Sequence, residues 1–338
     1  MQATGIIAEY NPFHNGHLYH IQETKRLTQQ PLIVVMSGSF MQRGEPAVLS
    51  KWKRASCAVQ GGADLVLELP CVFTLRSAEF FAKGAVQLLA ATGCVNTLAC
   101  GTEHPQSDFV AAARLACSAE AQARLCELLQ SGLSYAQAWE KILGANTAFR
   151  TPNDILALEY TKALLQTAAD IQPLYLQRTD EGYNSTAIGN SIASASAIRR
   201  AMADGNESWQ QAVPDYMHAA LAAGGYDAQL LWQLLKYRLR LLTPQQLAER
   251  CEASEGIENL LSKAADCTSL QAALAACSSK RYTASRIRRL LLQIILDRPK
   301  AVWQQQVPAY LRVLAFNNTG RQLLHKMKTN AQLPIINK

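Results

Sequence analysis

His14 and His17 stand three residues apart near the amino terminus, separated only by Asn15 and Gly16. Thr4 to Glu9 ahead of them is a short apolar, β-compatible run. Asn11-Pro12 breaks that run, and Leu18, Ile21 and Leu27 then follow helical spacing. The stretch reads as strand, tight turn, helix, with both imidazoles held at the helix opening. Unpaired backbone N–H groups and the positive end of the helix dipole favour an anion at such a place, and a phosphate would fit. Two other readings compete: a pair of metal ligands on one helix face, or histidines with no role beyond the helix end. No third ligand lies at a familiar spacing, which favours the phosphate.

A second opening of the same kind lies far along the chain. Ser191 to Arg200 begins a helix with Ser194 and Ser196 at its start and Arg199 one turn in. Hydroxyls, free N–H groups and a guanidinium suit an anion there too, although a Ser cap and a solvated Arg pair would look the same. Three further segments sit where strands are expected to end: Phe40 to Pro46, Gly101-Thr102-Glu103 and Thr151-Pro152-Asn153-Asp154. Helix capping alone would account for Asn153 or Asp154.

The elements that must position these residues alternate. Apolar runs at Pro31–Met36, Ala63–Leu69, Asn96–Cys100 and Ile171–Arg178 follow the first strand, with helical patterns between them. Alternation of this kind specifies a doubly wound parallel α/β sheet, whose ligand sites lie beyond the carboxyl ends of the strands. From about Trp209 the chain reads as helical, with long apolar faces at Leu230–Leu235 and Leu290–Leu296. A boundary is therefore expected near residue 205, dividing a catalytic domain, 1–205, from a helical basic domain, 206–338.

Composition narrows the class. The balance of 49% hydrophobic and 17% charged residues is that of a globular protein. No signal-peptide layout or membrane-length apolar run appears, so no membrane association is expected. Nine cysteines without a Cys-x-x-Cys pair suggest reduced thiols and a cytoplasmic location. Residues 233–338 carry 17 Lys and Arg against 6 Asp and Glu, while the remainder is net acidic. The basic surplus is thus carboxy-terminal, as a polyanion-binding surface requires.

With these residues in view, the chain resembles a known family. His14-Asn15-Gly16-His17 together with Ser194-Ala195-Ser196-Ala197-Ile198-Arg199 is similar to the paired motifs of the HxGH nucleotidylyltransferase superfamily. Glu9-Tyr10-Asn11-Pro12-Phe13-His14-Asn15-Gly16-His17, Ser37 to Pro46, Gly62 to Pro70, Gly101-Thr102-Glu103, Lys280 to Arg289 and Phe316 to Arg321 more narrowly resemble the bacterial tRNA(Met) cytidine acetate ligase family. The likeness covers nearly the whole chain. It implies that acetate and ATP form acetyl-adenylate, and that the acetyl group passes to the wobble cytidine of elongator tRNA(Met), giving N4-acetylcytidine. The nucleotide-binding positions it implies are Ile7-Ala8-Glu9-Tyr10-Asn11-Pro12-Phe13-His14-Asn15-Gly16-His17-Leu18-Tyr19-His20, with Gly101, Asn153, Arg178 and Thr179. Ser39 stands where the family commonly carries Asn, and the loop after Thr179 is more acidic than usual.

The chemistry implied is mostly electrostatic. Carboxylate attack on the α-phosphorus builds charge on phosphoryl oxygens and departing pyrophosphate, so positioned donors matter most. His14 and His17 are expected to donate to the triphosphate, with Arg199, Ser194 and Ser196 at its β,γ end. Mg²⁺ is expected as the counter-ion of ATP, with no ligand identifiable. Glu9, Glu45 and Glu103 are all candidates for a general base in the second step, unranked by sequence. Lys236, Arg238, Lys280, Arg281, Arg286, Arg288 and Arg289, interleaved with Tyr237 and Tyr282, are expected on the RNA-facing side. Two alternatives remain open: a nucleotidylyltransferase of small phosphorylated metabolites, and a non-catalytic RNA-binding protein. Oligomeric state is not legible.

Overall fold

Five apolar runs become β1 (Ala3–Ala8), β2 (Leu32–Ser37), β3 (Leu65–Leu69), β4 (Val95–Thr102) and β5 (Gln172–Gln177). They belong to a computed structural model that describes residues 1–133, 135–144, 151–167, 170–178, 192–253, 256–279, 282–305 and 307–337. The strands lie in the order β5-β4-β1-β2-β3 and pair in parallel, with Ile6 opposite Val34 and Val34 opposite Val66. All six residues of β2 are buried, as a strand covered on both faces demands.

Residue alternation sorts the strands into two apolar layers. Ile33, Val35, Leu65 and Leu67 face a layer with Leu88, Leu89, Leu158 and Leu323, drawn from helices Ala78–Ala91, Pro152–Thr167 and Asn318–Asn330. Leu32, Val34, Met36 and Val66 face the other, with Ile21, Ala55, Ala58, Ile198 and Met217. Strand order reverses between β1 and β4, so the crevice beyond their carboxyl ends is left open.

Within the carboxy-terminal part, expected to be mostly helical, two strands return to the sheet. β6 (Leu311–Phe316) joins the sheet antiparallel to β3, and β7 (Ile335–Ile336) pairs with β6. β6 is as long as β1, but Arg312 interrupts its apolar run among helical neighbours, and β7 is only two residues long. Asn317 locks this return. Its side chain accepts from the Gly320 N–H at 2.9 Å and donates to Asp64 Oδ1 at 2.9 Å. Packing therefore does not follow a division at residue 205: Trp209, Met217 and Leu221 belong to the sheet's second layer. A separate helical core spans Trp232 to Ile294. Leu75, Leu292 and Trp303 form the apolar seam between the two regions.

All nine cysteines are free thiols. Among the described residues, no helix is long and apolar enough to cross a membrane.

Candidate active site

The turn after β1 is shaped by buried aromatic contacts. Tyr10 has a left-handed backbone, φ 51°, an uncommon conformation for a residue with a bulky side chain. Its ring is buried edge-on against Phe13 at 4.9 Å and His17 at 4.8 Å. Asn11 Oδ1 accepts from the Val48 N–H at 2.8 Å, tying the turn to the next loop.

The first helix, Asn15–Thr28, then opens on a capping box made of two histidines. The Gly16 N–H donates to His14 Nδ1 at 3.1 Å, and the His14 N–H donates to His17 Nδ1 at 3.3 Å. Burial is the main reason both rings lose basicity, with the Arg178 guanidinium adding to it. His14 is pushed down to about 3 and His17 well below its ordinary value. Each ring is therefore neutral, with Nδ1 used as an acceptor and the proton on Nε2. Capping is thus compatible with the phosphate reading of this pair, because it fixes the tautomer that leaves Nε2–H as a donor. His20, one turn on, is half-buried as a residue and depressed to about 4 by desolvation, and among the described residues its buried Nε2 meets no partner.

A cavity of about 480 Å³ opens at the β1/β4 switch point, within the usual range for small-molecule sites. His14, Gly16, His17, Tyr19 and His20 line it, with Ile7 to Asn11, Gly101, Asn153, Arg178, Ser194, Ser196 and Arg199. Four positions in the implied nucleotide stretch do not. Phe13 is in the core, Leu18 packs beside it, Asn15 donates to the Gln211 carbonyl at 2.9 Å, and Pro12 lies outside the lining. Thr179 lies outside the described residues.

The second helix opening, Ala195–Ala203, faces the same cavity. Ser194 caps it by accepting from the Ala197 N–H at 3.2 Å, and its Oγ is 3.0 Å from Ser196 Oγ. Arg199 donates to the Asn11 carbonyl at 2.7 Å and to Glu45 Oε2 at 2.7 Å. Glu45, one of the candidate bases, comes with its neighbours from the expected strand-end loop after β2. Gln42 donates its N–H to Glu9 Oε1 at 2.6 Å, and Arg43 also lines the cavity.

Other residues hold the frame. Arg54 is fully buried and donates to the carbonyls of Leu49, Glu9, Ser37 and Gly38, clamping the ends of β1 and β2. Desolvation lowers its pKa to about 10. Sequence inspection places Arg54 only inside a helix, yet it falls beside Ala55 and Ala58 on the apolar side. At the end of β4, Asp154 accepts from Thr102 Oγ1, from the Glu103 N–H and from His104 Nδ1. Asn153 donates to Glu103 Oε1 at 2.6 Å. These two side chains organise the strand end, which corrects the reading that helix capping accounts for them.

The expected RNA-facing residues divide. Arg288 reaches Glu45 Oε1 at 3.4 Å, and Arg289 donates to the Gln42 carbonyl at 3.1 Å, so both grip the cavity's loop from helix Ala284–Leu296. Gly44, at φ +76°, allows the approach: a Cβ there would lie 2.5 Å from Arg288 Cβ. Lys236 donates to the Cys267 carbonyl at 3.1 Å, Arg238 pairs with Asp297, and Arg286 lies over the Tyr282 ring at 5.2 Å. Lys280 and Arg281 lie outside the described residues.

Comparison with known proteins agrees with this geometry. A family model described as HIGH Nucleotidyl Transferase matches residues 1–338. The tRNA(Met) cytidine acetate ligase of Leuconostoc mesenteroides is 43% identical over 356 aligned residues, covering all of this chain and 89% of that protein. This chain belongs to the tRNA(Met) cytidine acetate ligase family. The family member of Acetivibrio thermocellus is 35% identical, covering 99% of this chain and 88% of that protein. The crystal structure of Thermotoga maritima TmcAL superposes with a TM-score of 0.91 at 33% identity, covering 99% of this chain and 86% of that one. A second TmcAL structure, bound with alpha-thio ATP, superposes at 0.89. The doubly wound sheet expected for such a ligase is thus the one observed, with β6 and β7 added at its edge.

Proposed function

We propose that this chain joins acetate to ATP as acetyl-adenylate, and transfers the acetyl group to the wobble cytidine of elongator tRNA(Met). The observation that carries the reading is the convergence of neutral His14 and His17, through Nε2–H, with Arg199 and the Ser194 opening on one cavity at the switch point. Relatives named tRNA(Met) cytidine acetate ligase, and a neighbour holding an ATP analogue, support the substrate class.

In the first step, the chain's task is to place the triphosphate and stabilise charge as an acetate oxygen attacks the α-phosphorus. The two Nε2–H groups donate to phosphoryl oxygens without carrying charge of their own. Arg199 and Arg178 supply the cationic field, in a site where burial strengthens both. Transfer then depends on holding the cytidine amine against an already activated acyl group.

Among the described residues, no three His, Cys, Asp or Glu side chains converge to hold a metal. Mg²⁺, expected with ATP, would add positive charge at the triphosphate, and no step here is routed through it. The reading places the protein in the cytoplasm, where its nucleotide and tRNA substrates are.

Acetate-dependent exchange of pyrophosphate into ATP tests the first step. Exchange should appear with acetate and vanish without it. Exchange stimulated instead by a phosphorylated metabolite, or an inability to bind ATP, would sink the proposal.

A further inference from the structure

Two carboxylates line the cavity, Glu9 and Glu45, and they are not equally committed. Glu45 has one oxygen on Arg199 at 2.7 Å and the other on Arg288 at 3.4 Å. Glu103, outside the lining, has one oxygen on Thr151 at 2.8 Å and the other on Asn153 at 2.6 Å. Glu9 differs from both. Its Oε1 accepts from the Gln42 N–H at 2.6 Å, and among the described residues no donor meets its Oε2. His14 and His17 offer no competing base, because each Nδ1 is taken by a backbone N–H and each Nε2 carries the proton, and burial lowers His20 to about 4, which makes it a poor base.

We propose that Glu9 is the general base of acetyl transfer, accepting on Oε2 the proton that the cytidine N4 loses as it attacks the acetyl carbonyl. The inference rests on the acetate-ligase reading above and adds a residue role to it. The N4–carbon bond forms as the bond from that carbon to the adenylate phosphate oxygen breaks. The electron pair leaves with AMP, and the proton passes from N4 to the carboxylate. No other reactant is needed.

The surroundings suit the task. Glu9 stands at the carboxyl end of β1, directly past Ala8, and its own carbonyl is fixed by Arg54. Burial pushes its carboxyl above the ordinary range, while the Gln42 N–H, Arg199, Arg43 and Arg54 pull partly against that rise. Tyr160, from helix Pro152–Thr167, also senses Glu9, and burial keeps its phenol neutral. A carboxylate of raised basicity is the better proton acceptor there.

Glu9→Gln separates chemistry from structure, because glutamine keeps an oxygen for the Gln42 N–H and loses only the basicity. Both half-reactions would be read: acetate-dependent pyrophosphate exchange, and single-turnover acetyl transfer to tRNA(Met) from preformed acetyl-adenylate. Because Glu9 also lines the nucleotide cavity, the readout is the comparison of the two steps: transfer should fall roughly 10²- to 10⁴-fold, and much further than exchange. The unmodified protein's transfer rate should also rise with pH through one deprotonation lying above the ordinary carboxylate range.

Transfer by Glu9→Gln at the unmodified rate would overturn the assignment, as would equal loss of both half-reactions. A flat pH profile of transfer in the unmodified protein would overturn it without any variant. Absence of acetate-dependent exchange in the unmodified protein would overturn the acetate-ligase reading itself, and the base assignment with it.

Discussion

The imidazoles of His14 and His17 lie stacked with ring centroids 3.6 Å apart, closing the same helix opening whose capping box they form. Two like groups this close cannot both be charged, so mutual proximity, burial and capping all select neutral rings that donate through Nε2. In the proposed reaction, phosphate would then meet fixed N–H donors that need no protonation.

His17→Ala should lower acetate-dependent pyrophosphate exchange by about 10²-fold or more, the loss typical of one oxyanion donor. His17→Gln, which keeps an acceptor at this capping position, distinguishes a lost cap from a lost donor. An unchanged exchange rate in His17→Ala would remove the histidine from the mechanism.

Stability should decline on acidification. His14 is held at about 3 in the folded chain against an ordinary value of 6.5. Between those values the unfolded chain binds a proton that the folded chain refuses. This contribution is therefore complete above pH 6.5 and is lost as pH falls toward 3, by up to about 1.4 kcal/mol per pH unit. His20, at about 4, acts in the same direction. Melting temperature followed from neutral to acidic pH should show the fall, and His14→Asn, which preserves a helix cap, should flatten it. Equal slopes in both proteins would contradict the assignment.

Arg54→Lys should destabilise the fold by about 3 to 5 kcal/mol, read as a lower denaturant midpoint. A lysine is a single point donor and cannot serve carbonyls as far apart in sequence as Glu9, Ser37 and Leu49. A shift below about 1 kcal/mol would show that the clamp is dispensable.

Affinity for tRNA should fall steeply with salt, and Arg286→Gln should reduce the log–log slope by roughly 0.7 to 0.9 if that guanidinium meets a phosphate. Arg288→Gln should act differently. Because Arg288 holds Glu45, its loss should slow the reaction with ATP and acetate even when tRNA is absent. Identical effects of the two substitutions would argue against this division.

The sheet was legible because each parallel strand is a short apolar run, and period-two alternation sorts Ile33 and Val35 from Val34 and Met36. His14, His17, Ser194 and Arg199 were legible because helix openings advertise themselves through small and capping residues. Contacts made across the chain were not. Arg54 looks like any helical arginine until four carbonyls converge on it, and the return of β6 to β3 depends on Asn317 meeting Asp64 from a distance. The basic surplus after residue 233 was visible as composition, but composition cannot tell Arg289, gripping the loop at Gln42, from an arginine free to meet RNA.

The central claim is tested most directly by incubating the protein with acetate, ATP and tRNA(Met), then digesting the tRNA and weighing its nucleosides. The account predicts an acetyl-sized gain on the wobble cytidine, dependent on both acetate and ATP. An unmodified cytidine in a preparation that binds ATP and tRNA(Met) would contradict it.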